Sequence, residues 1–145
     1  MPCLNVVIGP QGPVVDVSIG VSAARRAALQ SANQPIPPDV LCRLLIDTGA
    51  SKTNICQSVI SQLSLTPTGT DMVCTPSTGQ TPVPMPQYDV RLVYTFTGVN
   101  FAVDPLPVTC ADFTLQGIHG LLGRDQLAKA LLVYHGEVGL CSLAL

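Results

Sequence analysis

The chain has 145 residues, of which only 11% are charged, and carries a formal net charge of -2, so one domain with its own hydrophobic core is expected, without disulfides or metals to staple it. Nothing in this balance makes a basic field for nucleic acid or an anionic membrane, and no run of about eighteen apolar residues offers a membrane span. Charge lies so far below the roughly 25% of ordinary soluble domains that a partner is expected to cover part of the surface.

Met1 to Val15 lacks the positive start of a secretory signal, so the sequence reads as soluble and cytoplasmic. Leu4-Asn5-Val6-Val7-Ile8 is a strand candidate. Val14 to Gly20 alternates with period two and ends on glycine, predicting a second strand and a turn. Residues 21-40 read as an insertion: Ala23, Ala24, Ala27, Ala28 and Leu29 favour a short helix behind a Ser22 cap, and Pro35, Pro37 and Pro38 stop it. Leu41 to Ile46 resumes as a strand that runs straight into Asp47-Thr48-Gly49.

After Asn54 a weakly helical or extended stretch carries Val59, Ile60, Leu63 and Leu65. Residues 72-84 read as a hairpin with a small-residue tip at Ser77, Thr78 and Gly79, and its prolines place it at an exposed edge. Tyr88 to Tyr94, Asn100 to Val103 and Leu106 to Cys110 continue the β character. Leu121-Leu122-Gly123 then precedes a short helix over Arg124 to Ala130, with Leu127 and Leu131 on one face, and Leu131 to Leu145 closes the chain as a hairpin turning at His135-Gly136.

Cys3, Cys42, Cys56, Cys74, Cys110 and Cys141 are scattered singly, with no C-x-x-C pair and no Cys/His cluster. They read as small hydrophobes, and neither a metal nor a cofactor is expected. His119 and His135 read as loop residues, and Arg25 and Arg26 as the solvated face of the short helix.

Chemistry concentrates at Asp47. A carboxylate placed directly after the apolar run Leu44-Leu45-Ile46, in a turn with Gly49, is costly unless it is hydrogen-bonded or used. Asp-Thr-Gly-Ala followed by Leu121-Leu122-Gly123-Arg124-Asp125 resembles the single-domain aspartic proteases of the retropepsin type, and the likeness runs in order along most of the chain. It implies an all-β, closed barrel of the acid-protease kind over residues 1-145, with one short C-terminal helix and residues 72-84 as a flap.

The function so implied is aspartic endopeptidase activity on an extended peptide. One carboxylate must act as base toward water and another as acid toward the scissile carbonyl. Since no second Asp-Thr-Gly is present, the resemblance implies a homodimer in which each copy supplies Asp47. Thr48 would hydrogen-bond across the twofold axis, Gly49 would let backbone approach the carboxylate, and Leu121, Leu122, Gly123 and Arg124 would support the site from behind. Ser77, Thr78 and Gly79 would meet substrate.

Ala50 offers no hydroxyl to the carboxylate, so a mildly acidic optimum is expected rather than one at about pH 2. Ser51 stands where retroviral members carry a second Asp that pairs with the arginine, leaving Arg124 to find Asp125 or Asp112. In the family the terminal segments interleave between subunits, so the apolar N-terminal strand and Gly139 to Leu145 are expected at an interface. Two other functions are compatible with the residues: a catalytically weak or inactive dimeric binding module on the same fold, and, with less support because no glycine-rich phosphate loop is present, a phosphotransferase using Asp47 as nucleophile.

Overall fold

Val15, Val17, Ile19 and Val21 are each at most 1% exposed, the period-two signature of a strand with one face in the core. They lie on β2 (Gly12–Val21), which follows β1 (Cys3–Gly9) in a computed structural model that describes residues 1–145, the side chain of Thr114 apart. β2 pairs antiparallel with β3 (Val40–Ile46), whose Cys42, Leu44 and Ile46 enter the same core. Between these strands α1 (Ala23–Ser31) forms where the alanines favour it. Ser22 Oγ accepts a hydrogen bond from the Arg25 N–H (3.3 Å), satisfying one of the donors that a helix start leaves open.

The stretch after Asn54 is extended and then helical: β4 (Asn54–Cys56) leads into α2 (Gln57–Gln62), and Val59, Ile60 and Leu63 are buried. β5 (Gly69–Val73) and the start of β6 (Val83–Phe96) form the expected hairpin, in register from Gly69 opposite Gln87 to Val73 opposite Val83. β7 (Val99–Ala111) is followed by a 3-10 turn at Thr114–Gln116, β8 (Gly120–Leu122), α3 (Arg124–Leu127), β9 (Leu131–His135) and β10 (Leu140–Ala144).

Six strands close a barrel in the order β2, β3, β8, β4, β7, β6. The ring is completed because Val90 to Val21 and Tyr94 to Val17 pair β6 back onto β2. Two of its pairings are parallel, β3 with β8 and β4 with β7. Its interior is filled by large side chains such as Ile19, Leu44, Ile55, Leu92, Tyr94 and Leu122, all at 0% exposure; each contributes about 1.5–3 kcal/mol by leaving water.

Three expectations are corrected. The C-terminal helix ends at Leu127 rather than Ala130, because the Lys129 and Ala130 amides bond to Gln126 and Leu127, three residues back, and this tighter winding turns the chain into β9. Leu131 therefore begins a strand and is 58% exposed, not packed beside Leu127. The last strand starts at Leu140, not Val138, since Gly139 takes φ +72 in the turn and the Val138 N–H donates to His135 Nδ1 (3.3 Å).

Third, Gly139 to Leu145 serves this chain's own core. β10 pairs antiparallel with β1, from Cys3 opposite Ala144 to Val7 opposite Leu140, and Cys141 and Leu143 are buried within the chain. The other face of this terminal sheet, with Val7, Val133 and Leu140, is exposed. Deleting the segment would strip core side chains, so it reports on folding rather than on association.

The thiols divide in the same way. Cys42, Cys56 and Cys141 are buried, and Cys3 and Cys74 are exposed. Burial first, with Cys56 nearby, pushes the Cys42 thiol up to about 12, and burial also raises Cys110 and Cys141. Because the thiolate is the reacting form, a brief maleimide pulse on the native protein is expected to mark Cys3 and Cys74, with the buried three labelled only after denaturation. Peptide mapping checks this, and prompt native labelling of Cys42 would contradict the packing.

Candidate active site

β3 ends by handing Asp47 to β8. The pairing of Ile46 with Leu122 is continued by a hydrogen bond from the Asp47 N–H to the Leu122 carbonyl (3.0 Å). β8 lies between β3 and β4, so residues 47–53 leave one neighbour of β8 and return into the other. Within this loop the Gly49 N–H donates to Asp47 Oδ1 (2.8 Å) and the Ala50 N–H to the Asp47 carbonyl (3.3 Å).

Residues after β8 fasten both ends of the loop. Arg124 Nη1 donates to the Thr48 carbonyl (2.8 Å), and the Arg124 N–H to the Ala50 carbonyl (2.8 Å). Asp125 faces the far end, where its carboxylate accepts from the Thr53 N–H (3.1 Å) and the Thr53 hydroxyl (2.8 Å). That hydroxyl also accepts from the Gly123 N–H (3.1 Å), so a fully buried polar side chain is satisfied on both sides. Of the two acidic partners that the sequence offers Arg124, Asp125 is thus committed to Thr53, and the guanidinium reaches backbone of the Asp-Thr-Gly loop.

Glycine is required behind the loop by space. A Cβ on Gly123 would lie 2.4 Å from the Lys52 carbonyl carbon, and one on Gly120 would lie 2.0 Å from the Asn54 carbonyl oxygen. His119 reinforces this crossing: its Nδ1 accepts from the Arg43 N–H (2.9 Å) and its carbonyl from the Cys56 N–H (2.7 Å).

Asp47 opens onto a cleft of about 570 Å³. Gly49, Ala50 and Ser51 lie beside it, Ala111, Phe113 and Leu121 supply apolar wall, and Asp71 to Pro76 of the β5/β6 hairpin line the cleft as well. Leu121 faces the cleft, whereas Leu122 and Gly123 are buried and Arg124 is exposed. Ser77, Thr78 and Gly79 fold into a turn at the hairpin tip, where the Thr78 and Gly79 N–H groups both donate to the Thr75 carbonyl (3.0 Å each). The hairpin residues that line the cleft are Asp71 to Pro76, and Ser77, Thr78 and Gly79 are not among them. Nothing in residues 21–40 lines it, so the insertion does not edge the cleft.

One contact has no forerunner in the sequence. Lys52 Nζ meets Asp71 Oδ2 at 2.6 Å, joining the loop to β5 along the cleft wall, while Asp71 Oδ1 accepts from the Met72 N–H (3.0 Å). Among the described residues no group of three or more His, Cys, Asp or Glu could hold a metal, and no helix is long and apolar enough to cross a membrane.

The chain is thus a closed six-strand barrel in which an Asp-Thr-Gly loop lies against a Leu-Leu-Gly strand at a cleft. No family model and no curated protein matches the sequence. Among solved structures, a crystal structure of a retropepsin-like aspartic protease from Rickettsia conorii is similar, with a TM-score of 0.58 and 15% sequence identity over 97% of this chain and 89% of that one. At that identity the likeness establishes the fold, which is retropepsin-like over nearly the whole chain.

Proposed function

We propose that this chain is one half of an aspartic endopeptidase. Two copies pair about a twofold axis, each brings Asp47, and the two carboxylates share one proton. The ionised one takes a proton from water as it attacks the scissile carbonyl of an extended peptide, while the protonated one gives its proton to the carbonyl oxygen. Collapse of the resulting tetrahedral species passes a proton to the leaving amine, with no acyl-enzyme formed.

The observation that carries this reading is the placement of Asp47, fixed by the Gly49 N–H at the floor of a cleft long enough to be lined by both the loop and a hairpin. Asp71, the other carboxylate lining that cleft, supports the need for a second copy. Both of its oxygens are engaged within this chain, by Lys52 and by the Met72 N–H. Thr48, exposed at the loop apex, is the residue that would meet its counterpart across the axis. Residues 72-84 then serve as the flap, with Cys74 to Pro76 toward the peptide.

Incubating the wild type and Asp47→Asn with a diverse peptide pool over a range of pH tests the proposal. Cleavage by the wild type, absent in the variant, with a dimer in sedimentation, is the expected result. An intact pool with both proteins would remove the protease reading in favour of a binding module. Because Ala50 brings no hydroxyl to the carboxylate, the wild-type profile is expected to peak in mildly acidic solution, and a peak at about pH 2 would show that the carboxylate pair is held by contacts other than those of this loop.

A further inference from the structure

We propose that the Lys52–Asp71 ion pair is a positioning device that holds the β5 arm of the hairpin at its working height over Asp47. β5 pairs with β6 alone and has no strand on its other side, and of the β6 residues opposite it only Gln87 also pairs within the barrel, with Thr109, so above that point its backbone bonds fix it to the hairpin but not to the barrel. The ion pair supplies that missing link at 2.6 Å. Its loop end is rigid: the Lys52 backbone is pressed against Gly123, and its carbonyl accepts from Asn54 Nδ2 (2.9 Å). Its hairpin end is oriented too, because the second Asp71 oxygen is held by the Met72 N–H. With Lys52 and Asp71 both lining the cleft beside Asp47, the height of the flap above the scissile bond is set by a side-chain contact that belongs to no strand ladder.

The consequence for activity rests on the protease reading, whereas the mechanical consequence does not, and the two can be measured apart. Lys52→Met and Asp71→Asn are each expected to raise KM about threefold with kcat changed less than twofold, the modest size reflecting a partly exposed pair. Amide exchange in the peptide covering Gly69–Val73 should quicken by about the same factor, since the open and closed populations shift together. Lys52→Arg keeps the charge and should stay near wild type in both. Raising salt from about 0.05 to 0.5 M should raise the wild-type KM and leave that of Lys52→Met flat.

Unchanged exchange and KM in Lys52→Met would overturn the assignment, as would a Lys52→Arg variant that behaves like Lys52→Met, which would point to the lysine stem rather than its charge. Faster exchange in the variants of a protein that cleaves nothing would sink the protease reading and leave the positioning role standing.

Discussion

On the proposed protease reading, asparagine at position 47 is expected to lower kcat/KM by about a thousandfold or more, because it would remove the proton-transferring group from both halves of the pair at once. The fold should not notice. Asn keeps an oxygen for the Gly49 N–H, which is the contact that Asp47 Oδ1 makes in the loop, so Tm should stay within about 2 °C of wild type. Loss of activity with loss of structure would place Asp47 among the residues that hold the barrel. Mixing gives a sharper result. When wild-type and Asp47→Asn chains are unfolded and refolded together in equal amounts, about one dimer in four carries both aspartates, and activity should fall with the square of the wild-type fraction. A linear fall would mean that each chain works alone.

Gly120→Ala is expected, with Gly123→Ala, to be among the most destabilising glycine-to-alanine changes in this chain. Its new Cβ would lie 2.0 Å from the Asn54 carbonyl oxygen, and that oxygen belongs to backbone in the β4–β8 crossing rather than to a side chain that can turn away. Relief requires β4 and β8 to separate, which costs about 3 kcal/mol or more and should lower Tm by about 10 °C. Gly20→Ala makes an instructive contrast. Its Cβ would meet only the Asp39 carboxylate, at 2.1 Å, and Asp39 can swing aside with loss of its partly exposed bridge to Arg91, so the expected cost is about 1 kcal/mol. Thermal melts of the two variants side by side decide the matter; equal shifts would mean that the close approach at Gly120 relaxes more easily than its backbone neighbours suggest.

What could be read in advance follows from which signals are local. Period-two burial on Val15 to Val21, the alanines and prolines around α1, and the run of Leu44 to Gly49 are written in adjacent residues, and the structure has a strand, a helix and a loop there. The order of Asp-Thr-Gly and Leu-Leu-Gly pointed to the barrel only through the resemblance to retropepsin-type proteases, since neither stretch by itself encodes that the two meet. Contacts chosen by geometry were not legible. Lys52 and Asp71 are nineteen positions apart on elements whose relative height no pattern encodes. Arg124 found a backbone carbonyl, and a carbonyl has no residue type to betray it. The pairing of β1 with β10 was equally hidden, since an apolar terminal strand reads the same whether its neighbour is its own chain or another.

The pair of fastenings from Arg124 and Asp125 to the two ends of the 47–53 loop also dictates a sequence of events in time. Asp47 leaves the ribosome well before residues 120–125, yet, beyond the local bonds from the Gly49 and Ala50 N–H groups to Asp47, the groups that fasten its loop find their partners only there, more than seventy positions later. Until then the loop has neither β8 to lie against nor α3 to grip it, and closing so long a separation is among the slower steps in forming a β topology. A chain emerging during synthesis therefore carries its aspartate in a slack, unshaped segment. On the proposed reading, a loop that cannot take shape before residues 120–125 are made cannot cleave neighbouring nascent chain before then either.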